Sequence, residues 1–271
     1  PYVTLLENTM KIARIKTSQG PCFATIEGDQ FHLLEGQPFE DIRPTGGTIP
    51  FDESLLLAPV DPRQIVAIGA NYRKHCIECN VPIPDRPVVF LKAVNSLAGP
   101  GDAVVLPRIA PAEVDWEAEL AIVIGKPTKN IEPADVHKHI LGVTCANDIS
   151  ARDVQIKQDK LWDRGKSFDT FCPLGPWIET QANYGNLGIK LTLNGRVMQD
   201  ARTDDMIFDV PFLVSYLSKC MTLFPGSVVL TGTPWGVGMG RTPAMYLKAG
   251  DVMTVEIEGV GPLTNPVVLE S

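Results

Sequence analysis

The chain reads as a β-rich α+β fold, and three observations carry that reading. Short apolar and β-branched runs bounded by Gly and Pro recur along the whole length, whereas helical patterning is clear only near Pro133 to His139 and near Pro211 to Met221. Strands and helices do not alternate one for one, which argues against a doubly wound sheet. At 271 residues, 44% hydrophobic and 21% charged, the chain has the balance of a globular protein with a sizeable core.

Residues 10 to 60 hold three β-like runs, Lys11 to Lys16, Cys22 to Glu27 and Gln30 to Leu34, between Gly and Pro turns, which predicts a small N-terminal β subdomain. Met10 is a candidate natural start, with residues 1–9 an extension before it. Asp61-Pro62 marks a boundary, because Pro restricts both itself and the preceding residue. Residues 61 to 271 then form the main domain. Within it Ile65 to Gly69 reads as a buried strand, and Asn71 to Cys79 as a short helix closed by Pro82 and Pro84. Further strands are expected at Val88 to Leu91, Ala103 to Leu106, Trp116 to Ile124, Leu141 to Ala146, Lys190 to Leu193, Ser227 to Leu230 and Val252 to Ile257.

Composition excludes several functions. A formal charge of -8 with no long basic run argues against a nucleic-acid partner. No apolar run approaches the roughly 18 to 20 residues of a membrane helix, and no secretory or transit segment is apparent, so a cytoplasmic location is expected. The six cysteines read as reduced thiols. Cys76-x-x-Cys79 has no second pair to complete a four-ligand zinc or redox site. Gly165-Lys166-Ser167 ends like a phosphate-binding loop, but Lys160 stands where the first glycine is required. Gly236-x-Gly238-x-Gly240 has neither dinucleotide spacing nor a following helix. Both stretches read as flexible or close-approach loops.

Candidate chemistry gathers at three places. In a strand, Asp115, Glu117 and Glu119 share one face, successive members about 6 to 7 Å apart; on that pattern alone they read as a solvated acidic edge. His75 and Glu78, three apart in the short helix, share a face, and a carboxylate beside an imidazole orients it and raises its basicity. Asp148, at a strand end, has the plain reading of a helix cap. Joined to Glu117 and Glu119, it supplies the third oxygen ligand of an octahedral Mg²⁺ or Mn²⁺, leaving about three positions, two of which a 2-oxo acid can chelate.

Five segments occur in one order: Ile68-Gly69-Ala70-Asn71-Tyr72-Arg73-Lys74-His75, Glu117-Ala118-Glu119-Leu120, Asn147-Asp148-Ile149-Ser150-Ala151-Arg152-Asp153, Gly165-Lys166-Ser167-Phe168-Asp169-Thr170 and Thr231-Gly232-Thr233-Pro234. Together they resemble the fumarylacetoacetate hydrolase family, from about residue 61 to the end. His75-Cys76-x-x-Cys79-Asn80-Val81-Pro82 and the run from Phe168 to Pro176 are most similar to its type 2 domain-containing branch. The resemblance implies a β-roll catalytic domain, usually in a homodimer, with Glu117, Glu119 and Asp148 as metal ligands. It implies that His75 and Glu78 are a catalytic pair on a mobile lid helix and that Lys166 is a cation at the reacting oxygens. Arg152, Gln155, Gly232 and Thr233 fall where relatives contact substrate or shape its pocket. Many relatives carry Arg where this chain has Ala70, so a substrate carboxylate contact is expected to be missing there. Asp115 is not a family ligand and is assigned a supporting or solvated role.

The activity this implies is Mg²⁺- or Mn²⁺-dependent hydrolysis of a carbon-carbon bond in a 2,4-dioxo acid such as an acylpyruvate, through a metal-held enolate. The same site suits an oxaloacetate decarboxylase or an oxaloacetate keto-enol tautomerase. A 2-hydroxyhepta-2,4-diene-1,7-dioate isomerase ranks lower, and the alternative from a different class is a non-catalytic metal-bound binding protein.

Overall fold

The computed structural model describes residues 10–39 and 41–271, so the extension considered at residues 1–9 lies outside the described chain. The first strands are β1 (Lys11–Thr17), β2 (Gly20–Glu27), β3 (Gln30–Leu34), β4 (Pro44–Pro50) and β5 (Leu56–Leu57). Next come β6 (Ile65–Gly69), helix α1 (Arg73–Glu78), β7 (Val88–Lys92), β8 (Leu97–Ala98), β9 (Val104–Leu106), β10 (Val114–Asp115), β11 (Ala118–Ile124), β12 (Ile140–Asn147) and β13 (Ser150–Ala151). The remainder is α2 (Asp163–Lys166), β14 (Cys172–Glu179), β15 (Gly188–Leu193), β16 (Arg196–Arg202), α3 (Val210–Cys220), β17 (Val228–Leu230), β18 (Val252–Ile257) and β19 (Gly261–Leu269).

The large sheet runs β4-β3-β2-β1-β14-β12-β11-β17-β6-β7, and a five-stranded sheet runs β16-β15-β18-β19-β9. The N-terminal strands join the large sheet through β1, where Lys11 pairs with Glu179 and Ile12 with Ile178. Strand β11 lies inside it, antiparallel to both β12 and β17. Every residue of β11 is buried, as its near-continuous apolar sequence demands of a strand covered on both faces. Leu120, Ile122 and Ile124 pack into the main core with Leu191, Val255 and Ile257 of the smaller sheet. The alternate residues Ala121 and Val123 pack with Ile65, Leu174 and Leu230 on the other face. Helix α3 starts where Asp209 accepts from the Phe212 N–H at 2.9 Å, with Pro211 in the first turn. The β-rich α+β class is thus borne out.

Several local expectations change. The strand expected over Trp116 to Ile124 begins only at Ala118, because Trp116 and Glu117 separate β11 from the two-residue β10. The helix expected over Asn71 to Cys79 shortens to Arg73–Glu78, and the one near Pro133 to His139 is a 3₁₀ segment, Pro133–Lys138. Gly165 and Lys166 belong to α2 rather than to a loop. Strands β4, β5, β8, β13, β14, β16 and β19 have no counterpart among the strands expected from the sequence. Pro173, Gly175 and Pro176 read as breakers in β14, yet that strand pairs with β12 across a register shift that relieves the ladder where Pro has no N–H to give.

Candidate active site

Adjacent antiparallel strands bring the acidic residues together. Ala118 pairs with Asn147 and Glu119 with Ala146, so Asp148, which directly follows β12, falls opposite Glu117, with Glu119, the second residue of β11, two residues further along. The linking turn is fixed by the Asp148 N–H donating to the Glu117 carbonyl at 2.8 Å and the Glu117 N–H donating to Asn147 Oδ1 at 2.9 Å. Carboxylate oxygens of Glu117, Glu119 and Asp148 lie within 4.8 Å of one another. These groups are 5%, 1% and 0% exposed, and Asp115 is 0% exposed, so the solvated acidic edge anticipated from the sequence is a buried cluster.

Burial of four carboxylates requires counter-charge, and three cations supply it. Lys166 Nζ lies 2.6 Å from both Glu117 Oε2 and Asp148 Oδ2. Lys92 Nζ lies 2.6 Å from Asp148 Oδ1 and also donates to the Lys166 carbonyl. Arg152 sits between Asp115 and Glu117, at 2.9 and 2.7 Å. Burial opposes ionisation of Glu117, but Lys166 and Arg152 outweigh it and hold that carboxyl below its ordinary range. Burial likewise opposes the charge on Lys166, yet Asp148 and Glu117 raise it above an ordinary lysine. Among the described residues no cation forms an ion pair with Glu119; its near contact is the Gly232 N–H at 2.7 Å. Burial, with Asp148 and Glu117 alongside, pushes it well above the usual carboxylate range. A clustered, repelling, oxygen-only set fits a hard divalent cation such as Mg²⁺ or Mn²⁺.

Asp115 is buried, not solvated. Its carboxylate accepts from the N–H groups of Gly238 and Met239 at 2.7 and 3.0 Å and from Arg152 Nε at 2.9 Å. It therefore orients the guanidinium that neutralises Glu117 and stands outside the three-carboxylate group. The same glycine loop holds α1, since the Gly236 N–H donates to both Glu78 oxygens at 2.9 and 3.0 Å. A Cβ on Gly240 would stand 2.5 Å from Glu78 Cδ, and one on Gly238 would stand 1.9 Å from the Met245 carbonyl and 2.6 Å from Asp115 Oδ1. The spacing Gly236-x-Gly238-x-Gly240 is therefore a close-approach loop that grips one acid beside the cluster, Asp115, and one at the end of α1, Glu78. Glu78 Oε2 lies 3.4 Å from His75 Nδ1, long for a hydrogen bond but aligned to orient the ring.

A cavity of about 360 Å³ opens on these groups and is lined by His75, Glu117, Glu119, Arg152, Gln155, Lys166 and Thr233 among others. Asp148, Glu78 and Gly232 lie one layer behind, touching Lys166, His75 and Glu119 respectively. Gln155 lies in the π-helical turn Asp153–Gln158 and accepts from Arg152 Nη1 at 3.0 Å. Thr233 Oγ1 donates to the Ala118 carbonyl at 2.9 Å, and Asn71 Nδ2 donates to the Thr231 carbonyl at 2.8 Å, tying this segment to β11 and to the end of β6. Apolar walls come from Ile68, Phe90, Ile156, Trp162 and Met239, and Ala70 lines the mouth with no charge. Lys92, 2% exposed at the end of β7, carries no sequence signal of its place here, because an apolar run closed by a lysine reads as a strand reaching solvent.

A family profile described as "Fumarylacetoacetate (FAA) hydrolase C-terminal" matches residues 64–268, and one described as "Rv2993c-like, N-terminal" matches residues 10–59. The chain is 50% identical over 218 residues to the mitochondrial oxaloacetate tautomerase fahd2 of Xenopus laevis, covering 79% of this chain and 68% of that protein. It is 47% identical over 225 residues to the human mitochondrial oxaloacetate tautomerase FAHD2A, covering 81% and 71%. Among solved structures, a 5-carboxymethyl-2-hydroxymuconate delta-isomerase from Mycobacterium smegmatis superposes with a TM-score of 0.88 at 40% identity, covering 96% of this chain and 100% of that one. A 2-hydroxyhepta-2,4-diene-1,7-dioate isomerase from Mycobacterium marinum gives 0.87 at 40% identity, covering 97% and 99%.

Proposed function

The chain belongs to the fumarylacetoacetate hydrolase family of enzymes, and from that premise we propose that it interconverts the keto and enol forms of a 2-oxo acid, with oxaloacetate as substrate. The observation that carries the reading is that a base, His75, and a buried cation, Lys166, line the same cavity as Glu117 and Glu119. The tautomerase relatives move the emphasis from carbon-carbon hydrolysis to proton transfer, which the sequence reading held as an alternative.

The reaction breaks a C3–H bond and forms an O–H bond at C2. With Glu78 accepting from Nδ1–H, His75 keeps its lone pair at Nε2 and takes the C3 proton there. The electron pair moves into the C2–C3 bond as the carbonyl pair moves onto oxygen, and the Lys166 ammonium offsets that charge. The proton taken up at Nε2 is then returned, directly or by exchange with solvent, to the C2 oxygen, which completes the O–H bond and regenerates neutral His75. A divalent cation held by Glu117, Glu119 and Asp148 would supply Lewis-acid polarisation of the 2-oxo-carboxylate. Arg152 and Gln155 present donors to the substrate's carboxylate end, and the apolar wall from Phe90 and Trp162 limits water at the reacting carbon.

Hydrolysis of an acylpyruvate is a second reading, favoured by the oriented His75–Glu78 pair, which is equally suited to deprotonate water. Enol absorbance of oxaloacetate, followed with Mg²⁺ and then with EDTA, separates the two. Metal-dependent loss of the enol signal without CO₂ or pyruvate is the expected result. CO₂ with pyruvate would indicate a decarboxylase, and two acids from an acylpyruvate a hydrolase. No metal-dependent turnover of any of these substrates would favour a binding protein.

A further inference from the structure

We infer that His75, Glu78 and Cys79 form a second metal site, suited to a borderline-soft divalent cation such as Zn²⁺, whose occupation silences the base of the neighbouring cavity. One ligand atom from each residue lies within 4.8 Å of the other two. His75 Nδ1 is 3.4 Å from Glu78 Oε2 and 3.7 Å from Cys79 Sγ. With Zn–N and Zn–O near 2.0–2.1 Å and Zn–S near 2.3 Å, tetrahedral geometry sets neighbouring ligand atoms about 3.3–3.6 Å apart. The two measured edges match those of such a tetrahedron within about 0.1 Å.

The local structure explains why the three groups converge. His75 and Glu78 lie on one face of α1 and Cys79 is its C-terminal cap, so the i, i+3, i+4 spacing stacks them over one turn. Glu78 is already aimed by the Gly236 N–H bonds to both of its oxygens, which lowers the entropy cost of ordering a ligand. The donor set is nitrogen, oxygen and sulfur, whereas Glu117, Glu119 and Asp148 offer oxygen alone. Softness therefore sorts cations between the two sites: Zn²⁺ to α1, Mg²⁺ or Mn²⁺ to the carboxylates. The Glu78 carboxylate and a Cys79 thiolate balance the dication, the thiol proton leaving to solvent as the cation binds. A fourth position remains open for water beside the cavity that His75 and Cys79 line.

Coordination at Nδ1 shifts the imidazole proton to Nε2, leaving no lone pair to accept a proton from carbon. That consequence rests on the role proposed above for His75; the binding itself does not. The test uses the full chain saturated with Mg²⁺ and one equivalent of Co²⁺ as a spectroscopic stand-in for Zn²⁺. A thiolate-to-cobalt charge-transfer band in the near ultraviolet is expected, retained in Glu119→Gln and lost in Cys79→Ser and in His75→Ala. Absence of the band from the wild-type chain, or its persistence in Cys79→Ser, overturns the site. Zn²⁺ should bleach the band and, in parallel, abolish oxaloacetate turnover, with at least a tenfold higher concentration needed for half-inhibition of Cys79→Ser. A band bleached by Zn²⁺ with turnover unchanged keeps the site and overturns the silencing, while a band in a chain that turns over no oxo acid keeps the site and sinks the proposed function.

Discussion

Asp115 holds Arg152 against the carboxylate cluster: its Oδ2 lies 2.9 Å from the guanidinium, whose Nη2 lies 2.7 Å from Glu117 Oε1. Glu117 is thereby neutralised from one side by an arginine that Asp115 and the Gly238 loop fix in place. Outer partners of metal ligands typically contribute about 10–100-fold in affinity or activity. Asp115→Asn should therefore lower turnover by about that factor while leaving Mg²⁺ binding measurable by calorimetry. If Asp115→Asn abolished Mg²⁺ binding while Glu119→Gln spared it, the choice of ligands would be displaced along the chain.

Among the described residues Glu119 is the cluster carboxylate with no cation in ion-pair contact, and a bound metal is its natural counter-charge. Mg²⁺ at one hundred times its dissociation constant should stabilise the wild-type chain by about 2.7 kcal/mol in chemical unfolding, since it binds only the folded state. Glu119→Gln should lose that gain. An equal Mg²⁺-dependent gain in the variant would remove Glu119 from the metal site.

The class of fold and the positions of the longer apolar strands, such as β6 and β18, were legible in the sequence because alternation and Gly/Pro punctuation are local signals. The state of the acidic face was not. Asp115, Glu117 and Glu119 look like a solvated edge until Lys92 of β7, Arg152 beyond β13 and Lys166 of α2 bring their charges to Asp148, Asp115 and Glu117. Lys92 itself gave no signal, since only the packing of β7 beside Asp148 distinguishes a buried ammonium from a strand-end lysine. Strand β14 was hidden by its own prolines, whose missing donors matter only where the partner strand needs them.

Lys92 is 2% exposed, and removing one partner of a buried ion pair leaves an uncompensated charge. Lys92→Met should destabilise the chain by about 3 kcal/mol in urea unfolding, the penalty typical of such a loss. A change within the error of the measurement would mean that Lys166 alone balances Asp148.

Burial, with Glu78 next in order, pushes the Cys79 thiol up to about 12, whereas Cys220 is exposed. Only the thiolate alkylates, so at pH 8 iodoacetamide should label Cys220 well before Cys79. Labelling of Cys79 should climb about tenfold per pH unit below that value, as the thiolate fraction does. Mass spectrometry of the modified peptides checks both; rapid labelling of Cys79 at pH 8 would contradict its enclosed position.

His75, in the proposed reaction, moves a proton between carbon and oxygen at a site prepared by the three carboxylates. Ketonisation of freshly dissolved enol oxaloacetate, measured under Mg²⁺ for the wild-type chain and for His75→Ala, puts that role to the test. The enzyme-dependent rate should fall by about 10²- to 10⁴-fold in the variant, the range for loss of a positioned base, while Mg²⁺ still stabilises the folded chain. An unchanged rate in His75→Ala, or a wild-type rate no faster than that of the buffer, would contradict it.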